Sequence, residues 1–291
     1  MSQAHAQDTG RYYIPHHSLW PIVGSLSLFS IMVGAFTFLN GWVGAWSFIP
    51  GALLLGVTFS GWFGRVIDEN QHGIYNMQVD RSFRMGMMWF IFSEVMFFAA
   101  FFGALFYART FSTAWLGGRG VKVFTNLVLW PHYEGIWPTN GPAHVGGTFQ
   151  VVPAFGVPAL NTLILLSSGV TVTIAHHALR ESKRGLLKIF LALTFLLGFT
   201  FVGMQVHEYG EAYRELGLKL STGIYGSTFF MLTGFHGLHV TIGAIMLLVI
   251  WLRVLRGHFN PGRHFAFEAV AWYWHFVDVV WLGLFVFVYW L

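Results

Sequence analysis

Seven runs of apolar residues separated by polar breaks dominate the chain, at about 18 to 39, 46 to 64, 83 to 107, 157 to 179, 186 to 207, 223 to 252 and 267 to 291. At ~1.5 Å per helical residue, each is long enough to cross a ~30 Å hydrocarbon layer. The runs are continuous stretches of Leu, Phe, Val and Met. A membrane β-barrel would instead show ~10-residue segments alternating apolar and polar positions. The pattern therefore predicts an all-α polytopic membrane protein with seven transmembrane helices. It divides the chain into a polar segment 1–17, two spans within 18–64, a connection 65–82, and five spans within 83–291.

The longest polar break is roughly 110 to 156. It carries Trp115, Trp130 and Trp137 together with Pro131, Pro138, Pro142 and Pro153, a composition expected of an ordered interfacial loop. A connection of that length is usually functional, and its tryptophans argue against disorder. No internal repeat marks an inverted-repeat transporter.

Composition agrees with the pattern: 291 residues, 55% hydrophobic, 10% charged, mean hydropathy +0.60, against about a quarter charged in soluble domains. With the N-terminus inside, eleven of the sixteen Lys and Arg fall on inner segments and five on outer ones. The positive-inside rule then places the N-terminus in the cytoplasm and Leu291 near the outer face. Residues 1–17 hold no apolar stretch, so no cleavable signal peptide is expected and the first span serves as its own insertion signal. The net charge of +4 is accounted for by the inner loops and does not imply nucleic-acid binding. Absence of cysteine excludes disulfides, thiolate metal sites, Cys-anchored haem and iron–sulfur clusters.

Candidate chemistry lies within the spans. Ser93-Glu94 sits in an otherwise greasy run, and an intramembrane carboxyl is costly enough to be a functional candidate. Burial disfavours its charged form. The readings are a hydrogen-bonded packing group, a proton-relay carboxyl or a lipid-facing group. His236 and His239, and likewise His275 and Asp278, stand at i, i+3 spacing on common helix faces. They read either as a bundle-core metal site or as hydrogen-bonding links between helices at about 1 kcal/mol each. The absence of a Glu-x-x-His pair favours the links. His176-His177 and His207-Glu208 read as interfacial polar caps. Arg253, Arg256, His258, Arg263 and His264 form a basic cluster suited to anionic phospholipid headgroups. Phosphate-loop, nucleophile-elbow and dinucleotide motifs are missing.

The strings S-E-V-M-F-F at 93–98, P-A-L-N-T-L-I-L-L-S-S-G-V-T-V-T at 158–173, A-H-H-A-L at 175–179, Y-G-S-T-F-F at 225–230, T-G-F-H-G-L-H-V at 233–240 and F-E-A-V-A-W-Y-W-H-F-V-D-V-V-W-L at 267–282 closely resemble cytochrome c oxidase subunit III. The likeness runs in order from Trp20-Pro21 to the C-terminus. It implies a V-shaped arrangement, two helices on one arm and five on the other, with phospholipid in the cleft. It implies no metal or redox centre in this chain. Haem and copper would belong to partner subunits: subunit I as the main contact, subunit II, and a possible small accessory subunit. The complex would reduce oxygen to water and pump protons, with this subunit supporting sustained turnover and proton uptake.

By the same resemblance Glu94 matches the family's carbodiimide-reactive carboxyl. Lipid contacts would fall on Trp62, Glu69, Arg253 and His258, while His236, His239, His275 and Asp278 would hold helices together. The chain departs from the family after the second span. It reads W-F-G-R-V-I-D-E at 62–69 and G-I-Y-N at 73–76 where the family commonly has further Arg and His, and Arg65 is the available substitute. A bacterial cytoplasmic membrane, with the C-terminus periplasmic, is the expected location, and the mitochondrial inner membrane is the alternative. A quinol-oxidising relative is the nearest rival function, although its third subunits usually have five helices. A free-standing proton or solute transporter is a further class.

Overall fold

The computed structural model describes Tyr13 and residues 17–291. Arg11 and most of the segment 1–17 lie outside the described residues. Among the described residues the protein is all-α, with an isolated Asn260–Arg263 bridge and no strand. Seven helical stretches among the described residues are long and apolar enough to cross a membrane. The chain forms two compact units, Met1–Met85 and Gly86–Leu291.

The first unit contains α1 (Trp20–Leu39), α2 (Ile49–Gln71) and the start of α3 (Met77–Tyr107). Pro21 and Pro50 stand in the first turns of α1 and α2, where the missing N–H costs no hydrogen bond. α1 and α2 pack closely because small residues meet at their crossing. A Cβ on Gly34 would lie 2.7 Å from Ser47 O, and one on Gly51 would lie 2.6 Å from Ile31 Cγ1. In lipid such approach gives helix pairs their van der Waals contact.

The second unit is built on α6 (Val157–Arg180), α7 (Arg184–Arg214), α8 (Gly223–Leu255) and α9 (Phe265–Leu284). Successive helices are neighbours, and α9 closes the ring against α6. At its centre Trp274 is fully buried and slots between Gly198 of α7 and Gly243 of α8. Added Cβ atoms there would stand 2.6 and 2.8 Å from its ring. Trp274 Nε1 donates to Ser168 Oγ at 2.9 Å, and Trp281 Nε1 donates to Thr162 Oγ1 at 2.8 Å. α3 joins this bundle through large side chains, Phe90 against Tyr273 and Phe97 against Phe235.

Several helices outrun the apolar runs. α2 continues to Gln71 and α7 to Arg214, while α3 passes through a π turn (Ala108–Ser112) into α4 (Thr113–Leu116). Apolarity marks the lipid layer, whereas polar i, i+4 pairs such as Arg65–Glu69 at 3.3 Å sustain helix beyond it. The connection to α6 includes α5 (Val123–Leu129). Asn126 Nδ2 donates to the carbonyls of Leu116, Trp130 and Tyr133 at 2.9, 2.8 and 3.1 Å, and Asn140 Nδ2 to those of Val145 and Gly147. Trp137 and Phe149 pack on Tyr225 of α8, so the connection is tied to the bundle.

Candidate functional site

Glu94 projects from α3 toward α8, where its Oε2 lies 2.9 Å from His239 Nε2. His239 Nδ1 lies 2.6 Å from the carbonyl of Phe235, four residues earlier. A carbonyl only accepts, so Nδ1 carries the hydrogen. One proton is then left between Nε2 and Oε2. The pair is either a neutral acid facing a neutral imidazole or a carboxylate facing an imidazolium. Phe97, Phe98 and Tyr273 ring the imidazole, and the two side chains remain 21% and 12% exposed. Ser93 Oγ instead donates to Phe90 O at 2.7 Å.

The other three residues of the expected packing network occupy two further places. His236 is fully buried, with Nε2 3.2 Å from Val277 O of α9 and its ring against Phe201 and Trp281. His275 Nδ1 lies 3.6 Å from Asp278 Oδ2, and its Nε2 lies 3.3 Å from Thr173 Oγ1 on α6. The i, i+3 spacings therefore do not gather three histidines and one aspartate. His236 turns to α9 and His239 to α3, because each ring fits a different neighbouring helix.

The four expected lipid contacts fall two in each unit. In the first unit, Trp62 is 42% exposed. Glu69 there accepts from Arg65 Nε at 3.3 Å and from Tyr75 Oη at 2.8 Å. Burial, and then the Glu69 carboxylate, push the Tyr75 hydroxyl well above its ordinary value, so it stays a donor. In the second unit, Arg253 is buried near the end of α8 with its guanidinium 4.5 Å above the Phe259 ring, and its Nε has no hydrogen-bond partner among the described residues. His258 follows the helix end. Partial burial, then the nearby Arg253 and Arg256, lower its pKa, so this end already carries positive charge before His258 titrates.

Two clusters escaped the sequence reading. Glu208 does not cap an interface as expected. It is 1% exposed and accepts at Oε1 from Tyr289 Oη at 2.6 Å and Gln205 Nε2 at 3.2 Å. The Gln205–Glu208 spacing of one helical turn was the available signal, but Tyr289 arrives from the far end of the chain. His176 is likewise drawn inward rather than left as a surface cap. Its Nε2 lies 3.6 Å from Glu268 Oε1, and His264 Nε2 lies 3.2 Å from the same oxygen. Among the described residues these three form the grouping whose ligand-type atoms come within 4.8 Å of one another. His264 and Glu268, at i, i+4, were its legible half.

A family model described as cytochrome c oxidase subunit III matches residues 10–291. The cytochrome c oxidase subunit 3 of Branchiostoma lanceolatum is 42% identical over 280 residues, 96% of each chain. That of Marchantia polymorpha is 40% identical over 281 residues, also 96% of each. That of Carassius auratus is 40% identical over 289 residues, 99% of this chain and 98% of the relative.

Proposed function

Because the chain belongs to the cytochrome c oxidase subunit III family, we propose that it acts as the companion of the haem- and copper-bearing subunits of a proton-pumping oxidase. The match over residues 10–291 carries this reading. Subunit I is the main partner in it, subunit II and a small accessory subunit are further ones, and electrons from cytochrome c bypass this chain. Five-helix third subunits of quinol oxidases fit less well, since two additional membrane-length helices precede α3 here. The electron donor oxidised by the assembled complex separates the two.

Within that role Glu94 is a conditioning carboxyl. Its contact with His239 ties α3 to α8 without a redox centre of its own. Arg253 and His258 supply charge for an anionic headgroup at the inner end of α8, supported by the unpartnered Arg253 Nε. Trp62 and Glu69 supply a separate contact on the first unit, where Arg65 stands in for the family's missing basic groups. His236, His239, His275 and Asp278 join helices within the second unit. A bacterial cytoplasmic membrane with an inner N-terminus agrees with the Lys and Arg distribution.

The test is removal of this chain from the purified oxidase. The expected result is normal initial turnover followed by early inactivation, with slowed proton uptake. Unchanged lifetime and uptake would end the companion reading.

A further inference from the structure

Where α6 ends and α9 begins, three side chains of ligand type converge. His176 stands shortly before the C-terminal end of α6, His264 is the residue that precedes α9, and Glu268 lies in the first turn of α9. His264 makes no side-chain hydrogen bond to the helix N–H groups behind it, so its imidazole is not a cap. The two imidazoles meet edge to face, with ring centroids 5.5 Å apart. Their Nε2 atoms lie 3.6 and 3.2 Å from Glu268 Oε1, and ligand atoms of all three residues fall within 4.8 Å of one another.

Hydrogen bonding does not account for this convergence. His176 Nε2 and both ring nitrogens of His264 are buried without a hydrogen-bond partner among the described residues. Even the 3.2 Å approach of His264 Nε2 to Oε1 therefore lacks the alignment of an N–H···O bond. A neutral imidazole keeps a lone pair on one ring nitrogen, and here two imidazoles crowd one carboxylate oxygen. Ligands held at ~2.0–2.2 Å around a tetrahedral Zn²⁺ stand about 3.4 Å from one another. The two Nε2 to Oε1 separations bracket that value.

The donor set selects the ion. Ca²⁺ and Mg²⁺ take oxygen ligands, whereas imidazole suits Zn²⁺ and its transition-metal neighbours. We propose that His176 Nε2, His264 Nε2 and Glu268 Oε1 bind one divalent cation of the Zn²⁺ class, with water completing its shell, and that the ion clamps the start of α9 to the end of α6. The three side chains are 27%, 11% and 16% exposed, which leaves a path for the ion and its water. Arg180 and Arg263 flank the ligands in sequence, and their charge opposes that of a cation, while Glu268 offsets part of it. The ion is therefore exchangeable rather than a permanent part of the fold. This inference stands on the chain's own residues and is independent of the oxidase reading above.

The test titrates the intact complex, first stripped of exchangeable metal by a chelator, with radioactive Zn²⁺. His264→Asn and Glu268→Gln are each expected to lose one bound equivalent per chain, and unchanged stoichiometry would overturn the site. Displacement of the zinc by excess Ca²⁺ would overturn the imidazole ligands. The second measurement needs no variant, so it decides even where a substitution prevents assembly. Zn²⁺ is expected to slow diethyl pyrocarbonate modification of His176 and His264 several-fold, read by mass spectrometry, while the exposed neighbour His177 reacts as before. Protection of none of the three, or of all alike, would overturn the proposal.

Discussion

Glu94 and His239 have one proton to place between them, and this sets what substitution does. Gln at 94 keeps a donor opposite Nε2 but removes the reactive carboxyl. Glu94→Gln is expected to assemble normally and to lose incorporation of labelled carbodiimide at this chain, read by mass spectrometry. Failure to assemble would mark Glu94 as a packing residue. His258 offers a pH test. Its folded pKa lies below the ordinary value of about 6.5, so it is neutral near neutrality and becomes cationic only as pH falls further. Anionic-lipid retention is expected to rise on acidification, and His258→Gln should flatten the curve. Retention that does not change with pH would contradict a role for His258 in holding the headgroup. At this scale the sequence singled out Glu94 as a costly intramembrane carboxyl with packing, relay and lipid-facing readings open, and the group it meets in the structure is 145 residues away. No spacing rule reaches that far.

Helix contacts in this protein depend on glycine only where a neighbour comes close, as the Trp274 ring does in α8. Gly243 lies against the Trp274 ring, whereas a Cβ on Gly237 would meet nothing within 4 Å. Both are helical residues of α8. Gly243→Leu is expected to destabilise the protein by about 1–3 kcal/mol through overpacking, while Gly237→Ala should be neutral or stabilising by up to about 1 kcal/mol. Thermal unfolding in detergent compares them, and equal effects would refute the packing account. Tyr289→Phe removes the shorter of the two hydrogen bonds to the buried Glu208 carboxyl, leaving Gln205 as its donor, and is expected to cost about 1–3 kcal/mol in the same measurement. The number and order of the helices were plain from seven apolar runs because lipid forbids other solutions. Their ends were not, since α2, α3 and α7 continue on polar residues beyond the membrane layer.

As a whole molecule the chain gathers its intramembrane polar groups into small separate contacts, Glu94–His239, His236–Val277, Glu208–Tyr289 and His275–Asp278. Aromatic and aliphatic side chains lie between them. Reconstituted alone in liposomes, the chain is therefore expected to show no proton flux above the lipid background, followed with an entrapped pH dye. Sustained flux would favour the transporter class instead. The all-helical membrane architecture and the family followed from sequence alone, because hydrophobic length and ordered motifs are local properties of the chain. Tertiary structure alone decided which imidazole meets which carboxyl, that Glu208 is buried beneath Tyr289, and that His275 faces outward. Those outcomes depend on which faces of distant helices are pressed together, and that is a property of the packed bundle.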